Sequence, residues 1–195
     1  VIGSVFLVGL GLLAGGGVLS TWRQAWGVGL SVQAAGASLV ALTGFAILAE
    51  GGTIGAGFTN AFHLQVGVDP LSGLFLGTLG LIAAPALVYS LRYLRPHCHR
   101  RAIAGLMALF LLVLVLVLVA RDPVTFLTGW ELMTLLPVVV ILVARSCDAR
   151  ARRVVFTYLA ITHLGGVGTW IAILLLARAG AIGGHAVIGS GSGLQ

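Results

Sequence analysis

The chain has 195 residues, 59% hydrophobic and 8% charged, with a mean hydropathy of +1.12. A soluble domain carries about 25% charged residues, so this composition reads as an integral membrane protein. The net charge of +6 comes from 11 basic residues, all arginine, against five acids. These arginines fall in short stretches between apolar runs, so they are expected to set topology and meet the lipid bilayer's anionic headgroups; nucleic acid is not an expected partner.

Six apolar runs follow in chain order, at roughly 1–20, 28–49, 70–91, 102–120, 122–144 and 154–177. Each is close to the ~20 residues that cross a bilayer as a helix. Backbone groups in hydrocarbon must satisfy one another, and the runs lack the alternating period of a barrel strand. The expected fold class is therefore all-α, a polytopic membrane helix bundle with six predicted transmembrane helices, and residues 1–195 form a single transmembrane domain. The first run starts at Val1 without the basic stretch of a signal peptide. In it, Gly11 and Gly15 form a Gly-x-x-x-Gly pair that lets helices approach closely, as do Gly73 and Gly77 in the third.

Between the second and third runs, four glycines from Gly51 to Gly57 precede Phe62-His63-Leu64-Gln65-Val66, which predicts a loop with a short extended piece. Asp69-Pro70 then opens the third helix, and Asp122-Pro123 repeats the device at the fifth. Aspartate accepts backbone N–H bonds at an N-cap and proline is preorganised for the first turn, so both acids read as caps rather than ion ligands. Between the third and fourth helices, His97-Cys98-His99 offers three potential metal ligands among Arg92, Arg95, Arg100 and Arg101. Adjacent spacing is not that of a structural zinc site and the arginines repel a cation, so a solvated loop is expected and no metal.

Arg23, the four arginines of that loop, and Arg145, Arg150, Arg152 and Arg153 all fall on one side of the expected topology; Arg121 and Arg178 fall on the other. By the positive-inside rule the nine-arginine side is cytoplasmic and both termini are on the non-cytoplasmic side of a cell inner (plasma) membrane. Cys98 and Cys147 lie in these loops, where thiols stay reduced, so no disulfide is expected. The apolar start and the polar tail Gly189-Ser190-Gly191-Ser192-Gly193 suggest a piece of a longer chain.

Chemistry concentrates in Phe126-Leu127-Thr128-Gly129-Trp130-Glu131-Leu132-Met133-Thr134, where Glu131 sits near the middle of the fifth span. An acidic side chain at that depth costs about 2.5–3.5 kcal/mol on insertion scales, which makes Glu131 a candidate proton carrier. Pro137 cannot donate to the carbonyl of Met133, which weakens the helix near the acid. Thr128 and Thr134, three residues to either side, are expected to support it by hydrogen-bonding the carboxyl or a water. His163 lies at similar depth in the sixth span, antiparallel to the fifth, and is a candidate proton relay. Gly165, Gly166 and Gly168 beside it would admit another helix. An intramembrane serine protease needs its serine at the start of a helix facing a membrane histidine, whereas Ser190 and Ser192 lie in the tail. Haem lacks a second histidine at matching depth in another helix.

Three passages resemble one family, the antiporter-like proton-conducting subunits of respiratory complex I, of membrane-bound hydrogenases (formate hydrogenlyase and hydrogenase-4 type) and of Mrp sodium/proton antiporters. They are Val68-Asp69-Pro70-Leu71-Ser72-Gly73-Leu74-Phe75, the Trp130-Glu131-Leu132-Met133 passage, and Tyr158-Leu159-Ala160-Ile161-Thr162-His163-Leu164-Gly165, which looks most like the hydrogenase branch. The resemblance implies the N-terminal fragment of a subunit of about fourteen helices, an inference by fold analogy. It also implies that Glu131 belongs to a half-channel through which redox energy moves H⁺ (or Na⁺). The family's glutamate pairs with a lysine on a seventh helix, and this chain contains no lysine. Implied partners are other membrane subunits and the redox arm of a respiratory or hydrogenase complex. No quinone, flavin or iron–sulfur motif appears, so no cofactor is expected in this chain, and it is not expected to be catalytic alone. The rival expectation is a membrane scaffold or assembly subunit in which Glu131 only locks helix packing.

Overall fold

The computed structural model describes residues 2–57, 65–145 and 148–178. Residues 62–64 of the expected extended piece, Cys147, and the tail with Ser190 and Ser192 lie outside the described residues. Six helices follow in order: α1 (Ile2–Ser20), α2 (Trp26–Glu50), α3 (Pro70–Tyr93), α4 (Arg100–Val119), α5 (Pro123–Ala144) and α6 (Ala149–Arg178). All six are long and apolar enough to cross a membrane. The segment between α2 and α3 is more regular than expected. There β1 (Ile54–Gly57) and β2 (Gln65–Val68) pair antiparallel, with Ile54 opposite Val68 and Gly57 opposite Gln65. Pairing satisfies backbone groups that a bare loop would leave open. Gly51 closes α2 in the left-handed conformation, φ 65°, with its N–H donated to the Ile47 carbonyl.

The sixth helix starts earlier than its apolar run. Asp148 accepts the N–H of Arg150 on its side chain at 2.8 Å and that of Arg152 on its carbonyl at 3.3 Å. Alanine and arginine are strong helix formers, so the helix forms through the arginine-rich stretch. Hydropathy marks where a span enters hydrocarbon, not where its helix begins.

The packing is built on α2, which lies against both α1 and α3. Glycine makes these contacts close. A Cβ at Gly16 would fall 2.7 Å from the Gly29 carbonyl oxygen, one at Gly36 would fall 2.8 Å from that of Gly9, and one at Gly73 would fall 2.7 Å from that of Gly44. Gly77 and Gly80 meet α2 in the same way, at Phe45 and Ala41. The pair Gly73 and Gly77 therefore acts as expected, but Gly11 and Gly15 do not: both face open space. The buried stripe of α1 is Phe6, Gly9, Leu13, Gly16 and Ser20, spaced three or four residues apart, and Gly11 and Gly15 fall off it. Within this core Gln33 is fully buried, and its amide nitrogen donates to Ser20 Oγ at 2.9 Å and to the Ala104 carbonyl at 3.2 Å. One side chain thereby links α1, α2 and α4.

The arginine-bearing turns gather at one end of the bundle. The Arg100 guanidinium stacks 5.2 Å over the Trp26 ring, bringing the α1–α2 and α3–α4 turns together. Pro96, His97 and Cys98 line one cavity with Arg145 and Asp148, which joins the α5–α6 turn to them. At the opposite end a polar rim ties α3, α5 and the β-pair. Asp69 caps α3 through the Ser72 N–H, and Asp122 caps α5 through the Thr125 N–H, both at 2.8 Å. Arg121 Nη2 pairs with Asp69 at 3.0 Å and donates to Ser72 Oγ at 3.0 Å, while its backbone N–H donates to the Gln65 carbonyl at 2.9 Å. The Gln65 N–H in turn donates to Asp122 Oδ2 at 3.1 Å.

In hydrocarbon the fit between helices, not the exclusion of water, holds them together. Gly44→Val is expected to destabilise the bundle by about 1–3 kcal/mol through overpacking against Gly73 and Gly77, and Gly11→Val to stay within about 0.5 kcal/mol; reversible unfolding in mixed micelles measures both. For the rim, the Ser72 N–H, seconded by Ser72 Oγ and Arg121, holds the Asp69 carboxyl below its usual range. Burial pushes Asp122 up, but bonds from Thr125, Gln65 and Val124 outweigh it and leave this carboxyl lowered too. A group whose folded pKa is depressed stabilises fully above its unfolded value, and that contribution is lost as pH falls through the folded one. The thermal midpoint is thus expected to drop below about pH 4, and the drop to shrink in an Asp69→Asn, Asp122→Asn double variant.

Candidate functional site

Glu131 lies near the middle of α5 and His163 at the middle of α6. The two helices pack against each other, and the short connection makes them antiparallel, so the two residues meet at one depth. His163 Nε2 lies 3.5 Å from Glu131 Oε2. The other carboxylate oxygen is held by a residue that the sequence reading passed over: Trp170 donates its indole N–H to Glu131 Oε1 at 2.9 Å. His163, Gly166 and Trp170 stand at i, i+3 and i+7, on one helical face. Gly166 lies between the two rings, where a Cβ would come to 3.4 Å from Oε1. The carboxylate thus rests against the backbone of α6 at Gly166, at about the distance of ordinary contact for a Cβ. That spacing is the signal that would have found Trp170, because a tryptophan two turns from a membrane histidine carries an N–H in need of an acceptor.

The other expected residues divide. Thr134 does not reach the carboxylate; its hydroxyl donates to the main-chain carbonyl of Glu131 itself, at 2.8 Å. A threonine three residues along a helix reaches the i−3 carbonyl more readily than a side chain that projects outward. Thr128 is exposed on α5. Pro137 sits inside α5, and the helix continues through it to Ala144. Of the three glycines on α6, Gly166 faces Glu131, while Gly165 and Gly168 have open space beside them.

The trio is not sealed in the bundle. The side chain of Glu131 is 28% exposed and that of His163 is 46% exposed, and α6 leans mainly on α5. Among the described residues, the ion pairs are Arg121 with Asp69 and His163 with Glu131, so no arginine neutralises this carboxylate. Chemically the site offers a carboxylate that can take a proton, an imidazole that can take or give one, and an indole that only donates.

No protein-family model matches the chain. Over 131 residues, 67% of its length, the chain is 28% identical to the uncharacterized protein Rv0083 of Mycobacterium tuberculosis strain H37Rv. It matches the uncharacterized protein MT0090 of strain CDC 1551 to the same extent. The matched stretch is 20% of each relative, so the chain spans about one fifth of the length of these curated relatives.

The indole–carboxylate bond is expected to contribute about 0.6–1.7 kcal/mol, the range of polar contacts between membrane helices. A double-mutant cycle of Trp170→Phe against Glu131→Leu, read by unfolding in a bilayer or micelle, measures it; additivity of the two variants would mean that the indole and carboxylate do not interact.

Proposed function

We propose that this chain is the N-terminal part of an antiporter-like, proton-translocating subunit of an NADH:quinone oxidoreductase- or hydrogenase-type membrane complex. Glu131 is the proton carrier in this reading, and His163 relays to it. The observation that carries it is the ionisable pair Glu131–His163, at mid-depth and on a face that the six helices leave partly open. An acid facing acyl chains at that depth is costly, whereas one facing a further helix or an internal water path is usable. The open face therefore favours a larger membrane assembly around α5 and α6, in which redox energy supplied by a partner arm moves H⁺ or Na⁺. The motif resemblance at Trp130-Glu131-Leu132-Met133 points the same way. Electron carriers belong to the partners in this reading. The gathered arginine turns favour a cytoplasmic position for that end, with both termini outward in the inner (plasma) membrane.

The bond from Trp170 to Glu131 favours a second reading, a scaffold subunit whose intramembrane acid fastens α5 to α6. Glu131→Gln separates the two, because glutamine keeps an acceptor for the indole but carries no ionisable proton. In membranes containing the full-length protein and its partners, the proton-carrier reading expects translocation to fall by at least about tenfold, in the range of acid–base groups, with assembly intact. Unchanged translocation would leave the scaffold reading standing.

A further inference from the structure

We infer that Trp170 is a positioning residue which, with the carbonyl of Leu159, makes Glu131 and His163 a one-proton site whose proton runs only between Oε2 and Nε2. The role assigned to Trp170 rests on Glu131 being a proton carrier, whereas the bonding pattern stands without it. An indole N–H can only donate. Oε1 accepts that hydrogen at 2.9 Å, which draws electron density from it and makes it the less basic oxygen; the carbonyl oxygen of a carboxylic acid is also its better acceptor, so the exchangeable proton belongs on Oε2.

The imidazole is constrained from its other side. A carbonyl can only accept, and His163 Nδ1 lies 3.1 Å from the Leu159 carbonyl oxygen one turn back. Nδ1 therefore carries the hydrogen. A neutral imidazole has one N–H, so Nε2 presents a lone pair, and it faces Oε2 at 3.5 Å.

With one proton present, two arrangements exist: Oε2–H beside bare Nε2, and carboxylate beside imidazolium. Passing from the first to the second breaks one O–H bond and forms one N–H bond. The O–H electron pair stays on oxygen, and the net charge of the pair remains zero. The separation exceeds a good hydrogen bond by a few tenths of an ångström, a gap that a small side-chain torsion closes. Without the indole Oε1 loses its donor, and a proton on the oxygen that faces away from the imidazole is no longer disfavoured.

The test begins with the full-length protein carrying ¹⁵N-histidine in lipid bilayers. Solid-state NMR reads the tautomer of His163, its signals identified by their loss in His163→Gln. Neutral His163 is expected in a single form, protonated on Nδ1 and bare on Nε2. An Nε2–H form, or an even mixture, would overturn the inference whatever the fate of translocation. The second arm compares two substitutions in membranes where the wild type translocates protons. Trp170→Phe keeps a ring without a donor, and Trp170→Gln keeps a donor without a ring. The inference expects Phe to slow translocation about tenfold and Gln to restore it to within about threefold of wild type, with the Glu131 carboxylate infrared bands shifted in Phe only. Rescue by Phe and not by Gln would make Trp170 a packing residue and refute the role. A bare Nε2 together with a Glu131→Gln variant that still pumps refutes the carrier reading, and with it the role of Trp170, while the bonding pattern stands.

Discussion

Backbone-to-backbone contact at glycine is the interaction on which the rest of the structure depends. Lipid tails are as apolar as leucine, so helices in a bilayer gain little by hiding side chains from solvent and much by fitting one another. Here α2 supplies the fit on two sides, meeting α1 at Gly9, Gly16, Gly29 and Gly36 and meeting α3 at Gly44, Gly73 and Gly77. Gln33 adds polar contacts within that close-packed body and ties in α4. From there packing thins along the chain. The fifth helix joins through Gly129 against Val117, and the sixth lies mainly on the fifth. The ionisable residues of the hydrocarbon zone occur on the thin side. A dense half fixes geometry, and a sparse half exposes chemistry.

The polar rim determines where Glu131 stands. Proline at the first turn, aspartate at the cap and Arg121 just before it define the start of α5 in relation to α3 and to β2. A helix rises about 1.5 Å per residue, so fixing Asp122 fixes the depth of a carboxylate nine residues further on. His163 and Trp170 have no such fixture. They reach Glu131 because α6 runs antiparallel to α5 and packs against it, with Gly166 facing the carboxylate between them.

Much of this was legible in the sequence, and what was not has physical reasons. The number of spans follows from hydropathy, though not the start of α6, and the two Asp-Pro caps follow from local hydrogen-bond chemistry and emerge as expected in α3 and α5. The similar depth of Glu131 and His163 also followed from the short connection between antiparallel spans, but not that their side chains face each other, which depends on the rotation of each helix. Trp170 is not legible as a site residue because tryptophan in a span reads first as an interfacial or packing residue, and its donor matters only once an acceptor faces it. Gly11 and Gly15 satisfied a spacing rule that says how closely helices can approach but not which face is turned inward. The pairing of β1 with β2 and the reach of Arg121 to Asp69 depend on which distant segments meet at the rim, and no local pattern encodes that.

Pro137 acquires a mechanical meaning from its position. It lies between Glu131 and the arginine-bearing end, on a rod whose opposite end is anchored by Asp122. The bond missing at a proline concentrates bending at one place. A bend of α5 at Pro137 would move Val138–Ala144 relative to Glu131, while the length from Asp122 to Glu131 would keep its station. In such a bend the carboxylate would be the fixed jaw of a vice, and the helix bearing the imidazole and the indole the moving one.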